Sequence, residues 1–317
     1  MVQVKNKVAF EQKRNSIHGW LSVIKPIGIT SANVVSRLKY FTKAKKVGHS
    51  GTLDPLASGI VLIAFGEATK TVSFAMNMEK TYTFVIRWGE ATSTDDAEGS
   101  VIDTSDFRPK LSDIEMAIKN FEGEYLQTPP RFSAIKVNGA RAYSLARNNK
   151  EFFLKPRLIY IKSIKLLNII DKNTAEFQVI SGKGMYVRAL GRDLALKLNT
   201  YGHIRRLRRL AVGPFDDNNS MELDKVIEAI KEDGPCIKKF LKPVETVLDD
   251  IPALALTEQE ARKISFGQNI SVRNVKEQFA REYTGRNSII SAMCGERLVA
   301  LVKIREDKLC PFRVINL

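Results

Sequence analysis

Gly48-His49-Ser50-Gly51-Thr52-Leu53-Asp54-Pro55-Leu56-Ala57-Ser58-Gly59 leads without a break into Ile60-Val61-Leu62-Ile63-Ala64-Phe65, so a carboxylate sits in a glycine-flanked turn that opens into an apolar run. Pro55 locks its own φ and pushes Asp54 out of the α region. Gly48, Gly51 and Gly59 are open to backbone angles that other residues resist. The apolar run is short and rich in β-branched residues, which predicts a buried strand. Asp54 is therefore held in one direction at the end of a rigid element, which makes it a candidate catalyst. On turn chemistry alone, the commoner role of such an aspartate is to hydrogen-bond its own backbone.

The chain has 317 residues, longer than a typical single domain, and one large domain plus a smaller one is expected. Its formal charge of +15 calls for a polyanionic partner, nucleic acid ahead of an anionic membrane surface. No run approaches the ~18 apolar residues of a membrane span, so a soluble protein is expected. Residues 1–16 carry Lys5, Lys7, Lys13 and Arg14 without a block long enough for a secretory signal, and read as a mobile basic tail. Cys236, Cys294 and Cys310 lack C-x-x-C spacing, and His18, His49 and His203 are scattered. Neither a zinc site nor a disulfide framework follows, and a reducing cytoplasm fits.

Outward from the turn, Ser31–Tyr40 spaces Val34, Val35 and Leu38 for a short helix, and Thr81–Trp88 alternates as a strand with Tyr82, Phe84, Ile86 and Trp88 on one face. Ser112-Asp113-Ile114-Glu115 has the form of a capping box, with Leu111 and Met116 as its staple, which predicts a helix to about Phe121. Phe177–Ile180 reads as a strand. Leu190, Leu194 and Leu198 then mark a helix with Arg188 in its first turn and Arg192 one turn on. Strands and helices mix without a βαβ repeat, so the expected fold class is α+β. Asp233-Gly234-Pro235 and Asp249-Asp250-Ile251-Pro252 bracket a boundary region, and the runs 288–294 and 298–304 around Gly295-Glu296 predict a hairpin in a small β-rich domain, 250–317. Between 124 and 157, Arg131, Lys136, Arg141, Arg147, Lys150, Lys155 and Arg157 are interleaved with Phe132, Tyr143 and Phe152. Basic charge with spaced aromatics suits a surface that tracks phosphates and packs on riboses or bases, or else a solvated loop with anchoring aromatics.

The words GHSGTLDPLASGIVLIAFGEATK (48–70) resemble the catalytic motif of TruB-type tRNA pseudouridine synthases. Further matches follow in that family's order: Gly19–Pro26, Lys80-Thr81-Tyr82, Gln127–Ala134, Gly184–Arg188 and Leu207–Gly213. The likeness is close over about residues 17–215. It implies a mixed, largely antiparallel catalytic domain over 17–249 with an RNA-gripping insertion at about 124–157, and a PUA-like β domain over 250–317. It further implies an RNA isomerase that acts on the tRNA T-arm stem-loop at position 55, by base flipping, as a monomer without cofactor, metal, membrane or protein partner.

Residue by residue, the resemblance makes Asp54 the catalytic carboxylate and Arg188 its guanidinium partner, which is expected to lower the Asp54 pKa and fix its direction. Tyr82 becomes the ring that stacks on the extruded uracil and assists loss of the C5 proton, although periodicity alone makes it core. Tyr186 and Leu207 line the uracil pocket, Lys25 supports the site, and His49 fills the stack that the flipped base vacates. Arg205, Arg206, Arg208 and Arg209 form a dense basic cluster for which phosphate contact is the economical role, Arg209 among the binding residues. One departure stands out. Where the family often has Thr-Asp-Thr, this chain reads Thr92-Ser93-Thr94 before Asp95-Asp96-Ala97-Glu98-Gly99, and no catalytic role follows for that loop. Two rivals remain: a non-catalytic RNA-binding protein on the same scaffold, and a guide-RNA-dependent synthase acting on ribosomal RNA.

Overall fold

The computed structural model describes residues 14–233, 236–271 and 289–317. The larger unit runs β1 (Gly19–Lys25), α1 (Ser31–Thr42), β2 (Val47–Ser50), β3 (Ser58–Phe65), α2 (Val72–Asn77), β4 (Lys80–Trp88), β5 (Glu90–Thr92), β6 (Val101–Thr104), α3 (Leu111–Ile118) and β7 (Gly123–Gln127). It continues with β8 (Lys136–Val137), β9 (Ala140–Arg141), α4 (Ala142–Arg147), β10 (Arg157–Asp171), β11 (Thr174–Ser181), α5 (Val187–Lys197), β12 (Gly202–Val212), β13 (Met221–Glu222) and α6 (Leu223–Asp233). Among the described residues, nine strands form one mixed sheet in the order β13-β1-β3-β12-β4-β11-β10-β7, with β2 also on β3. All pairs are antiparallel except β1–β13 and β3–β12. The α+β expectation holds.

β3 is the spine of this sheet. Val61, Ile63 and Phe65 pack on the face that carries α1, α5 and α6, while Ile60, Leu62 and Ala64 pack on the opposite face. A strand covered on both faces must be apolar throughout, which is why its sequence does not alternate. Burial contributes on the order of 1.5–3 kcal/mol for each of these large side chains. The helix expected over 31–40 forms and runs on to Thr42, with Val34 and Leu38 buried and Thr30 capping it reciprocally with Asn33.

Behind the sheet, β14 (Ala253–Ala255), α7 (Glu258–Ser265), β15 (Ile270–Ser271), β16 (Ile289–Cys294), β17 (Arg297–Arg305) and β18 (Lys308–Val314) build a second, five-stranded sheet ordered β14-β16-β17-β18-β15. The expected hairpin is β16–β17, turning at Gly295 with φ +56°. This domain docks through Leu298, Leu301 and Ile315 onto Trp20, Ile60 and Leu62. Two polar ties add to it, Lys70 Nζ to Val314 O at 2.7 Å and Asn316 N to a Glu67 carboxylate oxygen at 2.8 Å.

Several local expectations need correction. The α3 helix starts at Leu111, its N-cap is Lys110 with no side-chain cap, and Leu111 and Met116 are exposed, so the capping box and staple do not form. Ser112 instead bonds its neighbour Asp113, inside the helix. The chain leaves the main sheet only between 128 and 156, since 124–127 lie in β7 and Arg157 opens β10. Of the expected mobile tail, Asn15 is already fastened, its N donating to Lys43 O and its Nδ2 to Thr42 O. Residues 1–13 of that tail, Gly234-Pro235 of the boundary and Ser288 of the hairpin lie outside the described residues. Among those described, no helix is long and apolar enough to cross a membrane, no cluster of three or more His, Cys, Asp or Glu is arranged for a metal ion, and Cys294 and Cys310 are free thiols.

Candidate active site

Asp54 leads a tight turn whose other bonds are to its surroundings. Its carbonyl accepts from Ala57 N at 3.1 Å, Pro55 O accepts from Gly28 N at 2.8 Å, and Ser31 Oγ accepts from Leu53 N at 2.9 Å. Gly51 (φ +73°) and Gly59 (φ +105°) take left-handed angles, whereas Gly48 is ordinary strand in β2. At Gly59 the constraint is also one of space, because a Cβ would lie 2.1 Å from the carbonyl oxygen of Arg209.

With its backbone so fixed, Asp54 turns its carboxylate to Arg188, Oδ2 to Nε 2.9 Å, and one third of the Asp54 side chain stays open to solvent. The Nε–H points off that oxygen, so the contact is an ion pair by proximity rather than a straight hydrogen bond. The guanidinium is held on three more sides: by Asp96 Oδ2 at 3.5 Å, Thr94 O at 3.0 Å and Phe132 O at 3.1 Å. Thus the loop after β5 supplies Asp96, a site residue that the sequence reading passed over. The signal for it was the adjacent pair Asp95-Asp96 in a short polar loop, two carboxylates that need cations if buried. Ser93, the departure from the family pattern, points elsewhere and receives a bond from Ser100 Oγ.

The Asp54 pKa is raised, against the expectation that its arginine would lower it. Burial is the largest cause, and Arg188 and Lys25 oppose it without prevailing. Lys25 is fully buried, donates to Pro26 O and Ile29 O at 2.8 Å each, and is brought from 10.5 to about 8 by desolvation, with Asp54 pulling the other way. Between pH 8 and 10.5 the folded chain binds fewer protons at Lys25 than the unfolded chain does, so stability rises with pH across that window. Thermal midpoints measured from pH 7.5 to 10.5 should rise less in Lys25→Met than in the parent, and an identical slope would place Lys25 in water.

The sheet brings several expected residues into line. Cross-strand partners run Lys25, Gly59, Arg209, Tyr82, Val179 across five strands and share one face. Tyr82 is 9% exposed there, packed in the core cluster that also holds Leu53 and Leu207. Leu207 is two pairs along and so on the same face, opposite Phe84. Tyr186 caps α5, its backbone clamped at both ends by the Gln127 amide at 2.8 and 3.2 Å, and burial raises its hydroxyl pKa while Asp54, Arg188 and Arg157 act on it. His49 sits in β2 with Nδ1 buried and unpartnered, and burial followed by Arg209 lowers its pKa, so the ring is neutral at pH 7.

Arg209 is the main correction. It is 1% exposed, so its guanidinium is withdrawn from the surface where a phosphate contact was expected. Along one edge of β3, Ser58 and Gly59 pair with β12 while Leu62 to Phe65 pair with β2, and the two neighbours part at Ile60. The Arg209 side chain fills this fork, Nε donating to Ile60 O at 2.6 Å and Nη2 to Gly51 O at 3.3 Å. It props the start of the Asp54 turn. Arg208 pairs with Asp217 at 2.7 Å, and of the four only Arg205 and Arg206 are exposed. The segment 128–156 keeps its expected character: all its singled-out basic residues are exposed, with Arg131 over Phe152 at 5.0 Å and Arg147 over Tyr143 at 5.7 Å.

Residues 39–187 match the family model described as TruB family pseudouridylate synthase (N terminal domain), and 188–249 match the tRNA pseudouridylate synthase B C-terminal domain. The tRNA pseudouridine synthase B of Rhodospirillum rubrum is 48% identical over 96% of this chain and 99% of its own length. That of Caulobacter vibrioides is 45% identical over 98% and 100%. Among solved structures, a Cbf5-Nop10-Gar1 complex superposes with a TM-score of 0.72 at 24% identity, covering 94% of this chain and 85% of that one. An H/ACA RNP bound to a substrate RNA containing 2'-deoxyuridine superposes at 0.71 and 22%, covering 95% and 86%. At that identity the two structures speak for the fold alone. Family models that between them span 39–249 and relatives alike over nearly their whole length show the family: the chain belongs to the TruB family of pseudouridylate synthases.

Proposed function

We propose that this tRNA pseudouridine synthase isomerises the uridine at position 55 in the T-loop, acting alone on the T-arm stem-loop. The observation that carries the reading is the Asp54–Arg188 pair, open to solvent on the Asp54 side and bordered by the exposed basic segment 128–156, whose Phe132 O accepts from Arg188. A protein that only binds RNA has no use for a carboxylate aimed at a polyanion.

The reaction breaks the C1′–N1 bond of uridine, turns the uracil, joins C5 to C1′ and moves a proton from C5 to N1 by way of the site. Asp54 in its ionised form acts at the ribose, where a carboxylate can attack C1′, stabilise positive charge there or take the C2′ proton. Arg188, held from four directions, keeps the Asp54 carboxylate charged and directed. The target base must leave its stack to reach this pair, and an unpaired loop base does so at low cost. Tyr82 then lies under the uracil, Tyr186 and Leu207 wall it, and His49, flat and neutral, takes the vacated place.

Purified protein given unmodified tRNA, or the T-arm hairpin alone, should form one pseudouridine at position 55, read by chemical derivatisation and primer extension. An inert hairpin beside a reactive tRNA would show that recognition needs the rest of the L shape, and product at another position would sink the reading. Binding should also weaken by roughly a thousandfold between about 50 and 200 mM salt if about six phosphates are neutralised. Affinity that stays flat over this range would remove phosphate contact from the explanation.

A further inference from the structure

Asp95 and Asp96 are adjacent, yet they serve two different arginines on one helix. Asp96 turns inward to Arg188, while Asp95, at φ +60°, turns to Arg192 one helical turn further on, Oδ2 to Nη1 2.9 Å. The left-handed angle is uncommon outside glycine and is tolerated best by Asp and Asn. It is what lets consecutive carboxylates diverge. The loop backbone is fixed at the same place, since Ile204 N donates to Asp95 O at 3.1 Å and Ala97 N to Ile204 O at 2.9 Å.

Each nitrogen of the Arg192 guanidinium already donates within the protein. Nε donates to Asp193 Oδ1 at 2.9 Å, Nη1 to Asp95 and Nη2 to Thr128 O at 2.7 Å, and Asp193 is held in turn by the Tyr125 hydroxyl at 2.8 Å. Two carboxylates around one guanidinium leave a local charge that repels phosphate. Thr128 is the first residue beyond β7, where the inserted segment leaves the sheet. A single side chain thus joins the Asp96 loop, α5 and the root of the insertion, one helical turn from Arg188.

We propose that Arg192 is a positioning residue, tying the root of the inserted segment to the Asp96 loop so that the segment which grips RNA and the groups that orient Arg188 share one frame. The inference rests on reading Asp54 and Arg188 as the reacting pair. Its closing experiment therefore has one arm that needs no turnover.

Arg192→Gln, Arg192→Lys and Asp95→Asn would be compared with the parent by amide hydrogen exchange, by single-turnover rate at saturating tRNA and by tRNA affinity. In Arg192→Gln both 92–99 and 128–136 should exchange faster while β4 and β12 hold. The rate should fall about tenfold or more, as small misplacements of reacting groups do, with affinity changed by less than about threefold. Arg192→Lys should be intermediate, since one ammonium cannot span Asp95 and Thr128 as a planar fork does. Asp95→Asn keeps the backbone angle and should slow the rate without loosening 128–136. It also carries the test if Arg192→Gln fails to fold, an unchanged rate in Asp95→Asn then overturning the proposal. In Arg192→Gln, release of only one of the two segments, an unchanged rate, or losses of rate and affinity in equal measure would each overturn it too. An inactive parent would sink the functional reading, and the exchange data would still decide whether the tie exists.

Discussion

Asp54→Asn should bind the T-arm hairpin within about threefold of the parent and form no detectable pseudouridine, because the amide keeps the shape of the side chain and loses the charge that acts at the ribose. Folding should survive, since the turn is held by the backbone of residues 53–57 and by Ser31 and Gly28, and not by the Asp54 carboxylate. Binding could only gain from removing a negative charge beside a polyanion, whereas an aspartate that merely shaped its own turn would be nearly silent as Asn. Turnover by the variant at a normal thermal midpoint would move the chemistry to another residue. The parent should show a related pH effect. Burial lifts the Asp54 pKa above the usual carboxylate range, so its activity should fall on the acid side earlier than that range implies, and a rate flat down to pH 4 would contradict an ionised carboxylate in a buried site.

Arg209→Met should cost about 2–6 kcal/mol of stability, since it leaves Ile60 O and Gly51 O without the donor that fills the fork between β2 and β12, at about 1–3 kcal/mol for each orphaned group. The Asp54 turn begins at that fork, so the residual folded protein should also lose much of its rate. The salt dependence of RNA binding should not change, because Arg209 is buried. Arg205→Ala with Arg206→Ala should do the opposite, preserving stability and reducing the salt slope if these two exposed guanidinia meet phosphate. Denaturant midpoints and affinities at two or more salt concentrations separate the cases, and a shallower salt slope in Arg209→Met would return that residue to the RNA surface.

The misreading of Arg209 marks where local sequence stops being informative. Arg205, Arg206, Arg208 and Arg209 look alike in a row, but strand alternation and the bulge at 204–206 send them to different faces. A carbonyl left free by a fork among three strands cannot be read from any one of them. The same limit hid Asp96. Its partner Arg188 is 92 residues away, and only the fold brings the loop after β5 over the first turn of α5. The capping box at Ser112 failed for a related reason, since the packing of Ile114 and Ala117 on the core lets the helix begin earlier, at Leu111.

What the sequence determined by itself was the set of features governed by neighbours along the chain: the Asp-Pro turn, the buried strand after it, the helices opening at Ser31 and Val187, the basic character of 124–157 and, through motifs in order, the family. Each follows from torsional preference or periodicity, which act over a few residues. The tertiary structure alone decided which charges meet and which are withdrawn from water. It paired Asp54 with Arg188, gave Asp95 and Asp96 to separate arginines, buried Arg209 under the turn and raised the Asp54 pKa where a guanidinium alone would have lowered it. Desolvation and Coulomb energy depend on distance in space and on the exclusion of water, and neither is a property of the chain until it has folded.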